Sequence, residues 1–186
     1  MFEMNFLAVK PSYVVGQILG FLIAFVSFFI YYGKNKKNIL TAKLISDVLN
    51  IVQQGMIGAY TGACINVIAV AREIIFYHRG KWKWANSRLW LWLFILLMGL
   101  APLLTWNGIV SLLPSIGSVL AVIAFYMEKP TYIRVIGLCS QIFWLLYSIF
   151  TINLGAILQN IILIFSAVLG LIRERTEQRK NEQKTS

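Results

Sequence analysis

The chain has 186 residues, of which 59% are hydrophobic, and its mean hydropathy is +0.72. Because soluble domains are about 45–50% apolar, this composition predicts a membrane protein. The net charge of +10 lies in short patches between long apolar runs, which argues against nucleic-acid binding, where the basic residues belong to soluble helices around a modest core.

Apolar runs bounded by Gly, Pro, Asn or charged residues predict seven helices. Most of the charge near the first run follows it, so we do not expect a cleaved signal peptide. The second run carries Lys43, Ser46, Asp47 and Asn50 on one helical face, and it either spans the membrane or lies flat on its surface. The predicted bounds, in chain order, are 12–32, 39–54, 58–77, 88–105, 109–127, 131–149 and 154–172.

The distribution of charge predicts the orientation. With the N-terminus outside and seven spans, 16 of the 17 basic residues fall on the cytoplasmic side, and only Lys10 lies outside. This agrees with the excess of Lys and Arg in cytoplasmic loops of membrane proteins. If the second helix lay flat, the basic stretch from Arg79 to Arg88 would be carried outside. We therefore expect seven spans, a cytoplasmic C-terminus and, over 174–186, a disordered cytoplasmic tail.

Two apolar segments indicate an internal repeat. GFLIAFVSF (20–28) and GSVLAVIAF (117–125) share Gly, Ala and Phe at the same places. When the alignment is continued with one gap in the following loop, Asn66 falls on Asn160, and chance seldom aligns two asparagines inside apolar spans. The repeat predicts an all-α membrane protein with two parallel three-helix bundles and a linker helix (3+1+3). The predicted divisions are 1–79, 80–106 for the basic loop and linker, 107–173, and the tail.

This organisation resembles that of the SWEET-type, or PQ-loop, sugar transporters, whose parallel repeats are related by an axis along the membrane normal. The resemblance implies a substrate-binding asparagine on the third helix of each bundle, here Asn66 and Asn160. It also implies pocket residues on each second helix, here Asn50 and Trp144. SWEET-type bundles carry prolines near the middle of their first two spans, and here only Pro114 has such a position. Since proline weakens a helix, Pro114 is either a hinge or a kink of purely packing origin.

Two further motifs resemble another family. LLPSIG (112–117) and AREIIF (71–76), in a chain of this length and span pattern, are similar to the bacterial inner-membrane YgjV family. This resemblance implies a multi-pass protein of the bacterial inner membrane.

Each candidate site residue has a functional and a structural interpretation. Asn66 and Asn160 need hydrogen-bond partners in a region without bulk water. Their amides could bind the hydroxyl groups of a ligand, or join helices at about 0.6–2 kcal/mol each. Trp144 could stack on a ring of the ligand or fill a bundle core.

The charged residues inside the spans also have two interpretations. Asp47 is the only aspartate of the chain, and an acid inside the membrane suggests a function by default. It could couple transport to a proton or cation, or pair with Lys43 or Arg72. Arg72 and Glu73 could form an inner gate, or anchor the helix at the membrane surface.

These features predict a transporter that moves a small polar, sugar-like solute by alternating access to a midplane site between the bundles. A nucleoside-like vitamin transporter is an alternative, and so is a receptor or sorting protein of the same fold that uses the basic face at 34–43 and 79–88. The single histidine, His78, lies at the interface, and metal- and phosphate-binding motifs are lacking. We expect no enzyme activity, cofactor, metal or nucleic-acid partner.

Overall fold

The structure, a computed structural model, describes residues 11–104, 106 and 108–185. This part of the chain is helical and contains no strand, which confirms the all-α prediction. Short 3₁₀ turns at Trp84–Asn86 and Ile109–Ser111 precede the fourth and fifth α-helices. The seven α-helices are α1 (Pro11–Tyr32), α2 (Lys36–Ile57), α3 (Tyr60–Tyr77), α4 (Leu89–Leu104), α5 (Leu112–Tyr126), α6 (Pro130–Phe150) and α7 (Leu154–Thr185).

Five of these helices are long and apolar enough to cross a membrane: α1, α3, α5 with its preceding turn, α6 and α7. The helix α4 is apolar but has only 16 residues, or about 24 Å at 1.5 Å per residue. The helix α2 is as long as α1, but it buries polar side chains along its length and is much less apolar. The prediction of several membrane-spanning helices is therefore confirmed.

Local chemistry explains several helix ends. The Asn35 side chain accepts a hydrogen bond from the Asn38 backbone N–H (2.9 Å) at the start of α2, as an N-cap residue does. The same helix ends at Gly58, whose φ of +81° favours glycine at that position. Pro130 occupies the first turn of α6, and the Asn153 side chain accepts from the Ala156 N–H (3.1 Å) at the start of α7.

The C-terminal segment differs from the prediction of a disordered tail, because α7 continues as a helix to Thr185. Its residues are mainly Glu, Gln, Arg and Lys, which favour helices. Arg173 pairs with Glu177 one turn later (3.9 Å), and Arg134 of α6 forms an ion pair with Glu174. These contacts hold the extension in line with the part of α7 that packs in the bundle.

The helices pack as a closed ring. The helix α1 contacts α2 on one side and α7 on the other, and α2–α3, α5–α6 and α6–α7 follow around the ring. The helix α4 lies against α3 and α5, which also touch each other. Small residues bring α1 and α7 close together: a Cβ on Gly155 would lie 2.5 Å from the Gly20 Cα. The interior of this ring contains both an apolar cluster and many buried polar side chains.

The two ends of the ring differ in charge. The connections at one end, residues 33–35, 78–88 and 127–129, together with the extension of α7, carry many basic residues, and we call this the basic end. The described residues of the connections at the other end, 58–59, 106, 108–111 and 151–153, carry no charge, and we call this the neutral end. Residues near the middle of the helices lie between these ends, where the site is found.

Candidate functional site

A cavity of about 40 Å³ lies inside the ring, between α2, α3, α5, α6 and α7. Since a volume of this kind of about 10–15 Å³ is enough for one water, the cavity has room for a few waters. Six residues selected from the sequence line this cavity: Asp47, Asn50, Asn66, Arg72, Trp144 and Asn160.

Two other candidates lie elsewhere. Glu73 is fully buried beside Arg72 but is not among the residues that line the cavity. Pro114 lies in the first turn of α5, just after the 3₁₀ turn at the neutral end. A proline in the first turn of a helix removes little hydrogen bonding, so it does not interrupt the middle of α5; its role as a hinge stays a prediction.

Four charged side chains, of which Lys43 is partly exposed and the other three are buried, form a cluster on the side of the cavity nearer the basic end. Lys43 donates to Asp47 one turn away. Arg72 Nη2 lies 2.6 Å from Glu73 Oε1 and 4.0 Å from Asp47 Oδ2, and its guanidinium lies 5.0 Å from the centre of the Phe125 ring. The cluster thus contains two basic and two acidic side chains, each acid next to a base. The structure thus contains both ion pairs considered for Asp47, while its coupling role stays a prediction.

The polar side chains of α6 and α7 at the cavity are held by other parts of the protein. Asn160 Nδ2 donates to Ser148 Oγ (3.1 Å) and to the Ala156 carbonyl (2.8 Å). Gln159 Nε2 donates to Ser27 Oγ and Ser46 Oγ, both at 3.0 Å. These bonds fix the amides of α7 against α1, α2 and α6.

The polar side chains of α2 and α3 are held less completely. Among the described residues, six have a buried side-chain nitrogen or oxygen without a hydrogen-bond partner, and four of the six line the cavity. Gln54 Oε1 packs so closely on α3 that a Cβ on Gly62 would lie 1.9 Å from it. The four cavity atoms are Asp47 Oδ2, Gln54 Oε1, Asn66 Nδ2 and Arg72 Nε.

Gln54 was not selected from the sequence, although a signal was present. It follows Asn50 by four residues and so lies on the same face of α2. In the repeat alignment it falls on Ser148, which is the partner of Asn160 in the other half. A comparison of equivalent polar residues, rather than of identical ones, would have found it.

The neutral end is closed by backbone and amide contacts. Gln53 and Asn153 exchange two hydrogen bonds, at 2.8 and 3.2 Å. The Ile152 carbonyl accepts from Gln17 Nε2 (3.1 Å) and from Tyr13 Oη (2.9 Å). Ile152 has φ = +52°, which is unusual for a β-branched residue. These contacts join α1 and α2 to the connection between α6 and α7.

The basic end is closed by ion pairs and arginines. Glu128 pairs with Lys36 (2.9 Å) and with Arg79 (3.2 Å), and thereby joins the α5–α6 connection to α2 and α3. Arg134 donates to the carbonyls of Tyr31 (3.0 Å) and Gly33 (2.9 Å). Positive groups are favourable at the C-terminal ends of helices. Here the guanidinium of Arg134 joins the end of α1 to α6.

Two arginines make equivalent contacts at the same end. Arg79, after α3, donates to the Tyr126 carbonyl (2.6 Å), and its guanidinium lies 3.9 Å from the centre of the Tyr126 ring. Arg173, on α7, donates to the Tyr32 carbonyl (2.9 Å) and lies 4.4 Å from the centre of that ring. Tyr32 and Tyr126 are the last residues of α1 and α5. Each arginine thus binds the end of a helix that belongs to the other half of the chain.

Comparison with known proteins gives one family match, which covers nearly the whole ring. The model of the Imp-YgjV family, described as a bacterial inner membrane protein, matches residues 14–178. The chain belongs to this family. The matched region includes at least part of each of the seven helices. The resemblance to this family seen in LLPSIG and AREIIF is therefore confirmed. No curated protein and no solved structure matches the chain.

Family membership agrees with the length and apolar composition of the helices. Several of them are long and apolar enough to cross a membrane, and the family is one of bacterial inner membrane proteins. Among the described residues, no group of three or more His, Cys, Asp or Glu side chains is placed to hold a metal ion. The residues that line the cavity offer hydrogen bonding by amides, ion pairing and contact with the Trp144 ring.

Proposed function

We propose that this protein is a transporter of a small polar, sugar-like solute, with the cavity as its binding site. The observation that carries the proposal is a polar cavity, lined by buried amides and charges, that is closed at both ends of the ring. Polar and ionisable groups inside a membrane protein are costly, and they mark the paths of substrates or ions. A closed cavity between two halves is an expected state of alternating access.

The proposal includes seven spans arranged as two three-helix bundles and a linker, as in SWEET-type transporters. Support comes from the similar contacts of Arg79 with Tyr126 and of Arg173 with Tyr32. The two arginines are 94 residues apart, which is the offset of the repeat in this region. The helices α1 and α5 would then be equivalent, as would α3 and α7, and α4 would be the linker.

The access of water-soluble reagents to the cavity tests this function without knowledge of the substrate. Ala69 of α3 and Ala121 of α5 line the cavity and are nearly fully buried. In a protein with Cys64→Ser and Cys139→Ser, we expect Ala69→Cys and Ala121→Cys to react with a charged, membrane-impermeant thiol reagent in both right-side-out and inverted vesicles. The reaction requires transient opening towards each side in turn.

Ala167→Cys is the matched control, since Ala167 is fully buried and does not line the cavity; we expect it to stay unreactive from both sides. Reaction of the cavity cysteines from one side alone would contradict transport and favour a receptor. The groove at the basic end, lined by Lys34, Lys37 and Glu128 among others, would then be the candidate surface. A transporter of a nucleoside-like vitamin would give the same labelling result. For such a ligand, Trp144 on the cavity wall offers a surface on which the planar ring of the vitamin can stack.

The proposed orientation, with the N-terminus outside and the C-terminus in the cytoplasm, makes a second prediction. Single cysteines in place of Lys83 and Lys180, both exposed, should be labelled from the cytoplasm only, because Lys and Arg are retained on that side. Lys36 suits labelling less well than expected, since it is paired with Glu128. Asn107, the predicted outside position, lies outside the described residues. Labelling of the Lys83 position from outside would overturn the orientation.

A further inference from the structure

The two repeat-equivalent asparagines have different surroundings. Asn160 Nδ2 is held by Ser148 and by the Ala156 carbonyl. Asn66 is as deeply buried, 4% exposed against 5% for Asn160, but its Nδ2 has no hydrogen-bond partner within the described part of the protein. Equal positions in the repeat therefore do not mean equal roles.

The cause of this difference is one residue on the neighbouring helix. The position equivalent to Ser148 is occupied by Gln54. Whereas Ser148 Oγ accepts from the asparagine of its own half, Gln54 Oε1 lies against Gly62 and has no hydrogen-bond partner. The first half thus has one donor and one acceptor that the protein leaves unpaired, both on residues that line the cavity, whereas the second half has a hydrogen-bonded pair.

We infer that the ligand is held from one side, by Gln54 and Asn66, and that Asn160 is a positioning residue that keeps α7 against α6. This inference rests on the proposed function and names the binding groups of the same site. A buried donor or acceptor without a partner is unfavourable, so a ligand that supplies both partners forms hydrogen bonds that the protein alone does not.

The free atoms also indicate the class of ligand. A hydroxyl group donates and accepts at once, so neighbouring hydroxyls can accept from Asn66 Nδ2 and donate to Gln54 Oε1. We expect the ligand to be neutral, because each acidic side chain of the cluster already has a basic partner: Lys43 with Asp47, and Arg72 with Glu73. A net charge on the ligand would find no unpaired side chain of opposite charge in this cluster, and an uncompensated charge in a region of low dielectric constant is costly. The ligand class is a neutral polyol.

Purified full-length protein in detergent tests this inference by thermal stabilisation. The probes are xylitol and glucose as neutral polyols, with gluconate and glucosamine as negatively and positively charged relatives of glucose. We expect one or both neutral probes to raise the melting temperature of the wild type in a saturable manner, and the charged relatives to bind much more weakly. Stabilisation by neither neutral probe, or equal affinity for a charged relative, would overturn the ligand class. Neither outcome affects the cysteine-access test of transport.

Two variants test the one-sided arrangement. Gln54→Ser gives the first half the serine that the second half has, so that Asn66 gains a partner within the protein. We expect this variant to melt no lower than the wild type and to bind the neutral probe about tenfold more weakly, the loss expected when one hydrogen bond to the ligand is removed. Asn66→Ala should show the same loss of affinity. Unchanged affinity in both variants would overturn the role of Gln54 and Asn66.

Asn160→Ala is the matched comparison. Because its bonds are to the protein, we expect a lower melting temperature and an affinity for the neutral probe close to that of the wild type. A loss of affinity as large as that of Asn66→Ala, at an unchanged melting temperature, would show a symmetric site and overturn the one-sided one.

Discussion

Arg72→Met is expected to lower the free energy of unfolding by about 3–5 kcal/mol, the cost of removing one partner from a buried ion pair. Arg72 is 1% exposed, and its Nη2 donates a hydrogen bond to the fully buried Glu73 carboxylate at 2.6 Å. Methionine would keep much of the volume beside Phe125 but would leave this carboxylate without its positive partner. Equilibrium unfolding in mixed detergent micelles measures the change.

The double variant Arg72→Met, Glu73→Gln separates charge from packing. If the loss comes from the uncompensated carboxylate, neutralising Glu73 should restore a large part of it, and the two changes should be strongly non-additive. Arg175→Met is the matched control: Arg175 is exposed on the extension of α7, and surface changes usually lie within about 0.5 kcal/mol. Equal effects at Arg72 and Arg175 would contradict the buried cluster.

Gly155→Leu is expected to destabilise the contact between α1 and α7 by about 3 kcal/mol, at the upper end of the usual cost of overpacking. A Cβ at this position would lie 2.5 Å from the Gly20 Cα. The obstructing atom belongs to the backbone of α1, so a rotation of a side chain cannot relieve the clash and the helices must separate. The same unfolding measurement detects the loss.

Gly99→Leu is the control for that change. Gly99 lies within α4 and is exposed, and a Cβ there would meet no atom within 4 Å. Because leucine is also a better helix former than glycine, we expect this variant to be as stable as the wild type or slightly more stable. If Gly155→Leu were tolerated as well as Gly99→Leu, the close approach of α1 and α7 would be wrong.

The seven helices and their approximate bounds could be predicted from the sequence, because the length of an apolar run and the residues that end it are local properties. The family could be predicted as well, from LLPSIG and AREIIF and the span pattern. The repeat was sufficient to select Asn66 and Asn160, and the structure places both at one cavity. After 173 the structure continues α7 as a helix, where the sequence suggested a disordered tail. The polar composition suits either state, and Arg134, which pairs with Glu174, lies 40 residues away.

Only the tertiary structure decided how the two asparagines differ. In the sequence they are equivalent, and nothing local indicates that Asn160 meets Ser148 while Asn66 meets no partner. Whether a buried amide is free depends on the reach of side chains on another helix, and a glutamine in place of a serine changes that reach by two carbons. The contacts that close the two ends of the cavity likewise join residues far apart in the chain, such as Gln53 with Asn153. Their existence follows from the packing of the whole ring rather than from any segment of it.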